Sequence, residues 1–282
     1  MSRITIFITL ISLLVGCNGT NRPTDEKTIF VSITPLRSLV EEITCGDYNV
    51  EVVVPDGASP ESYEPTARQL AALTNAEAIY AIGLIDFERA IIEHFDSNKV
   101  VDLSGGIDIM EGCCSHGHHA HSHGIDPHIW TSPRTLRTMV ESIERDITMR
   151  YPDSTKYADA AERLIARIDS LDSYCRTRID ESGVEAIMIY NPAYTYFARD
   201  YGIEQIAIEH DGKEPTPRRL TALVEEATRH NISHIFLQPQ YSENKVRAIA
   251  EECSAEIIVT DPLAEDIIEE IRRITDIICT QR

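Results

Sequence analysis

The sequence predicts an α/β protein of two similar lobes, each a mainly parallel four-stranded sheet flanked by helices, joined by one long rigid helix. Three observations predict it. Short β-branched runs alternate with helical patterns, the alternation occurs twice, and a glycine-free amphipathic stretch separates the two rounds. Strands that are apolar throughout belong to parallel sheets covered on both faces.

The first round occupies residues 28–151. Residues 28–33 read as a strand, and Pro35 opens a helix carrying Leu36, Leu39, Val40 and Ile43 on one side. Residues 50–54 form the second strand, 66–75 a helix with Leu70 and Leu73 on one face, 78–83 the third strand, 87–94 a helix and 100–103 the fourth strand. The joining segment is 152–182. Tyr157, Ala161, Leu164, Ile168, Leu171, Cys175 and Ile179 recur there at steps of three and four, with Pro152 at the start and Gly183 just past the end. At 1.5 Å per residue such a helix is about 45 Å long, enough to run along both lobes and restrain any hinge. The second round occupies 183–282, with strands at 186–190, 205–208, 234–237 and 256–259 and helices around 220–230 and 244–253.

Residues 1–16 read as a signal peptide: Arg3, then an apolar run over 4–15. That run is too short for a membrane-spanning helix, and no later stretch approaches the ~20 apolar residues required. It ends in Leu14-Val15-Gly16-Cys17, which resembles a bacterial lipobox, so Cys17 is the expected lipidation site. Residues 17–27 are polar and form a tether. The chain is therefore expected to be exported and membrane-anchored, facing the periplasm or the cell exterior.

Hydrophobic residues make up 43% and charged residues 26%, proportions of a globular protein. An excess of 46 acidic over 26 basic residues gives a net charge of −20, which argues against a nucleic-acid partner. Beyond Cys17, six cysteines face an oxidising compartment: Cys45, Cys113, Cys114, Cys175, Cys253 and Cys279. Their connectivity is open. No His-Glu-x-x-His helix and no Gly-x-Ser-x-Gly elbow occurs, so no hydrolytic enzyme is indicated.

Five of the ten histidines, His116, His118, His119, His121 and His123, fall in eight positions. The tract has no apolar periodicity and reads as a loop, and its imidazoles suit a borderline metal such as zinc as a loose accessory site. Asp126-Pro127-His128-Ile129-Trp130 follows, with the only Trp of the chain. His128 alone reads equally well as a satisfied core histidine.

Residues 57–66, 126–130, 193–202 and 261–263 together resemble the ZnuA/TroA-type substrate-binding proteins of zinc and manganese ABC importers. The segments 212–217 and 238–240 fit as well, and the order holds over nearly the whole chain. The resemblance implies a metal site in the cleft between the lobes, little hinge closure, delivery to an ABC permease, no enzymatic activity and a monomeric chain. Carried over by position, the ligands fall on Glu61, His128, Asn191 and Asp261. The first and third depart from the family's usual His and His or Glu. Two carboxylates, one imidazole and a weak neutral carbonyl make an oxygen-rich set, which shifts the argument from zinc toward Mn2+ or Fe2+. Tetrahedral Zn2+ remains the first expectation, its last position filled by water or another residue. Glu209 and His210 are the additional candidates, although His210 also reads as a solvated loop position. The resemblance also implies a Cys253–Cys279 bridge. A metal-independent adhesin or scaffold lipoprotein is the remaining alternative.

Overall fold

The computed structural model describes residues 27–96, 98–110, 124–209 and 215–281. The leader, Cys17, the tether, the His-rich tract with Cys113 and Cys114, and His210 lie outside the described residues. Among the described residues, no helix is long and apolar enough to cross a membrane.

The first lobe runs β1 (Thr28–Val31), α1 (Thr34–Ile43), β2 (Asn49–Val52), α2 (Ala67–Leu73), β3 (Ala78–Ala81), α3 (Asp86–His94) and β4 (Val100–Asp102). Its sheet has the order β2-β1-β3-β4 with every pair parallel. The second lobe repeats the plan with β5 (Ala186–Ile189), α6 (Thr195–Tyr201), β6 (Glu204–Ala207), α7 (Pro217–Arg229), β7 (His234–Leu237), α8 (Arg247–Cys253), β8 (Glu256–Val259) and α9 (Ile267–Ile278). The order is β6-β5-β7-β8, again parallel. In each sheet the winding reverses after the second strand, between β1 and β3 and between β5 and β7. Loops leaving the carboxyl ends of the strands diverge at such a point and open a crevice there.

Between the lobes run α4 (Pro133–Arg150) and α5 (Thr155–Ser182). With 28 residues, α5 is about 42 Å long. Its stripe from Tyr157 to Ile179 is buried as the spacing predicts, and it packs against α1 of the first lobe and α6 and α9 of the second. Gly183, at φ 67°, ends it in the left-handed conformation and donates its N–H to the Ile179 carbonyl. One apolar core runs from the first sheet through α4 and α5 to Ile187 and Ile189 of β5 and Ile271, Ile274 and Ile278 of α9. A second core on the other face of that sheet joins Ala186 and Met188 to Leu223, Ile235 and Ile249. Because the larger core is shared, bending the lobes apart exposes apolar surface.

The pattern reading gives no helix for 133–150 or 195–201. The signal for α4 is present in Pro133 at its first turn and in Leu136, Met139, Val140, Ile143 and Ile147 at helical spacing. For α6, at 7 residues, two turns are too few to show a period.

The Cys253–Cys279 expectation needs correcting, since both thiols are free. Cys253 packs against the core on one face of the second sheet and Cys279 against the core on the other, so the sheet lies between them. Both are expected to be alkylated in the denatured, unreduced protein. A mass map retaining an intact 253–279 cross-link would contradict this arrangement.

Candidate metal centre

The chemistry-bearing residues sit just beyond the strand ends. Asn191 and Glu209 each come two residues after β5 and β6, Gln238 one after β7 and Asp261 two after β8. Glu61 lies on a short 3-10 turn, Pro60–Ser62, after β2. His128 precedes a second such turn, Ile129–Thr131.

The Glu61 turn is fixed from both sides. Tyr63 packs edge-on against Phe87 with ring centroids 5.7 Å apart. Downstream, Thr66 and Gln69 form a reciprocal cap at the start of α2, and the Gln69 amide also donates to the Val53 carbonyl at 2.9 Å.

His128 is 7% exposed and held by Asp126, whose Oδ1 accepts from the ring Nδ1 at 2.8 Å and from the His128 backbone N–H at 2.9 Å. Burial disfavours the Asp126 carboxylate, but the His128 ring and further hydrogen bonds outweigh that and hold its pKa below the usual value. An ionised Asp126 only accepts, so Nδ1 carries a proton and Nε2 is the ring nitrogen turned toward Glu61. Nε2 stands 3.4 Å from Glu61 Oε1. Trp130 packs against the ring at 5.1 Å between centroids.

Glu61, His128 and Asn191 line one cleft cavity, walled by Ile85, Trp130 and Leu263 among others. Asp261 lines an adjoining pocket instead, with Asp56, Arg37 and Glu265; Pro60, Gln240 and Leu263 border both. Burial pushes the Asp261 carboxyl up, the negative charges of Glu270 and Asp56 add to this, and the Leu263 N–H partly counters it. Three of the four positions thus share a cavity and the fourth stands beside it. Glu209 is 3% exposed behind Asn191, whose side-chain nitrogen donates to Glu209 Oε2 at 3.2 Å. Among the described residues no three His, Cys, Asp or Glu side chains converge as a metal cage.

The loop carrying Asp261 is gripped from the first half of the chain. The Trp130 indole donates to the Pro262 carbonyl at 2.7 Å, Ser38 to the Glu265 carbonyl at 2.6 Å, and Arg37 pairs with the Glu265 carboxylate at 3.0 and 3.1 Å. Thr131 to the Ala193 carbonyl and Tyr196 to the Asp126 carbonyl, each at 2.8 Å, cross the cleft lower down. The wall of the cavity is therefore built from both lobes at once.

Two participants escaped the sequence reading. Asp126 was visible only as part of a motif, although a carboxylate two residues before a candidate ligand is itself a signal. Gln238, which brackets the Asn191 backbone with bonds of 2.6 and 3.4 Å, was visible only as part of the 238–240 segment and not as a participant in the site.

Residues 29–276 match the family described as zinc-uptake complex component A, periplasmic, ZnuA. The zinc-binding lipoprotein AdcA of Streptococcus pneumoniae is 26% identical over 270 residues, covering 91% of this chain and 54% of that protein. The chain thus spans about half the length of that relative. The high-affinity zinc uptake system protein ZnuA of Bacillus subtilis is 25% identical, covering 85% of this chain and 79% of its own length. A crystal structure of ZnuA matches with a TM-score of 0.81 at 31% identity, covering 91% of this chain and 99% of that one. A zinc-bound ZnuA with residues 138–173 deleted matches at 0.80, also 31% identical, covering 91% and 98%. The expected two-lobed fold is borne out by these likenesses.

Proposed function

The chain belongs to the zinc-uptake complex component A family, and we propose that it captures a divalent metal ion, zinc first, in the cleft and delivers it to an ABC-type importer. One observation carries this reading: the 3.4 Å between His128 Nε2 and Glu61 Oε1. Two ligands at zinc bond lengths and a tetrahedral angle stand about 3.3 Å apart, so the pair spans one edge of a zinc tetrahedron. Asp126 holds the imidazole by Nδ1, so that Nε2 is the nitrogen placed to meet a metal. Asn191 supplies a third donor from the cavity wall, and Asp261, in the adjoining pocket, is the fourth candidate. The zinc named in the relatives AdcA and ZnuA supports zinc over manganese or iron. Residues 1–16 serve as the export signal and Cys17 as the lipid anchor, consistent with the word lipoprotein in the name of AdcA.

The full chain is expected to bind one zinc ion tightly and further ions weakly through His116–His123. Isothermal titration before and after deletion of residues 113–123 checks it. The weak sites should go and the tight one remain; loss of the tight site with the tract would move the primary site out of the cleft.

A further inference from the structure

Asn191 and Glu209 form a buried pair at the back of the cleft, 4% and 3% exposed. Asn191 lines the cavity beside Glu61 and His128, whereas Glu209 is not among its lining residues. Strand pairing sets them side by side. β5 and β6 run in register with Ile189 opposite Ala207, and the ladder continues one step, the Glu209 N–H donating to the Tyr190 carbonyl at 2.9 Å.

A carboxylate only accepts hydrogen bonds, so the Asn191 amide must turn its nitrogen to Glu209; the opposite orientation would set two oxygens against each other. Gln238 pins the Asn191 main chain at both its N–H and its carbonyl, which fixes the base from which the side chain projects. With the amide nitrogen committed to Glu209, the polar atom left for the cavity is the carbonyl oxygen. A donor group bonded to a carboxylate also grows richer in electrons, which is how a carboxylate behind a ligating imidazole raises its basicity.

We propose that Glu209 is the positioning residue that makes Asn191 an oxygen ligand of the bound ion, so that the 191–209 pair sets which divalent cations the cleft prefers. This rests on the cleft being the metal site. Read from the sequence alone, Asn191 is a weak neutral oxygen. Backed by Glu209, it becomes an oriented and polarised one, suited to borderline ions that accept mixed nitrogen and oxygen donors. Without Glu209 the amide is free to rotate its nitrogen toward the cation, which repels it. An imidazole at position 191 can use the same partner, donating one ring N–H to Glu209 and offering the other nitrogen to zinc.

The test is a double-mutant cycle on the full chain, with Zn2+ and Mn2+ affinities read by competition against a chromophoric chelator and folding checked by thermal melts without metal. Asn191→Ala and Glu209→Gln are each expected to lose about 10-fold in zinc affinity, and the double variant no more than the worse single one. A second full loss from Glu209→Gln in the Asn191→Ala background overturns the proposal, because Glu209 then acts on the ion without Asn191. Asn191→His is expected to raise the preference for zinc over manganese, and Glu209→Gln to remove most of that gain; a gain independent of Glu209 also overturns it. Where Glu209→Gln does not fold, Glu209→Asp keeps the charge but withdraws it from the amide, and unchanged affinity in that variant counts against the proposal. Failure of the cleft reading looks different: His128→Ala would then bind zinc as the wild type does.

Discussion

Zinc affinity is expected to fall by at least about 100-fold when His128 is replaced by Ala, because removing a mere supporting residue behind a metal ligand already costs 10–100-fold. His128 is the one imidazole among the four cleft positions, and its Nε2 is presented by two bonds from Asp126 to its ring and backbone. Deleting the ring leaves Glu61 with no nitrogen partner across the 3.4 Å edge. Asp126→Asn keeps an oxygen for the ring N–H but removes the charge, so its loss should be intermediate, about 10-fold. The measurement is chelator competition with both variants, alongside circular dichroism to establish that α4 and the Ile129–Thr131 turn persist. Folded His128→Ala protein with wild-type zinc affinity would remove the cleft from consideration.

The two-lobed plan was legible because its signals are periodic. The inner parallel strands β1, β3, β5 and β7 read as largely apolar runs, and the α5 stripe repeats over seven positions that all prove buried. Legibility stopped where periodicity stopped. The cleft is made of loops from six strand ends, and its geometry depends on which distant loops meet: Trp130 on Pro262, Arg37 on Glu265, Asn191 on Glu209. No local pattern encodes those pairings. Position-by-position transfer therefore found Glu61, His128 and Asn191, which share a cavity, but not that Asp261 would line the next pocket or that Glu209 would stand behind Asn191. The same blindness explains the mistaken Cys253–Cys279 pairing, since the sequence does not tell which face of a sheet a helix covers.

The largest stability effect is expected at Glu88, which supports the cleft from behind. Its carboxylate is fully buried and accepts three backbone N–H groups, Ile82 and Gly83 at 2.8 Å and Ile85 at 3.1 Å, closing the turn between β3 and α3. Gly83 makes that turn possible. At φ 88° its missing Cβ would lie 2.0 Å from Asp102 Oδ1. The turn delivers Ile85 to the cavity wall and Phe87 to the ring of Tyr63 beside Glu61. Glu88→Ala leaves the Gly83 and Ile85 amides without acceptors and the Ile82 amide with only Ser32 Oγ at 3.4 Å; at roughly 1–3 kcal/mol for each orphaned amide where water cannot follow, a loss of about 4 kcal/mol is expected. Burial pushes the Glu88 carboxyl up to about 7 from an ordinary 4.5, against hydrogen bonds from Ser32 and the three amides. A raised acid is protonated more readily in the folded chain than in the unfolded one. Its stabilising contribution is therefore complete below pH 4.5 and disappears as pH rises through 7. Glu88→Gln cannot titrate, so urea unfolding across that window should show the wild type losing stability relative to the variant as pH increases. Parallel profiles for the two proteins would mean that Glu88 is ionised throughout and that the amide cradle, not burial, governs its charge.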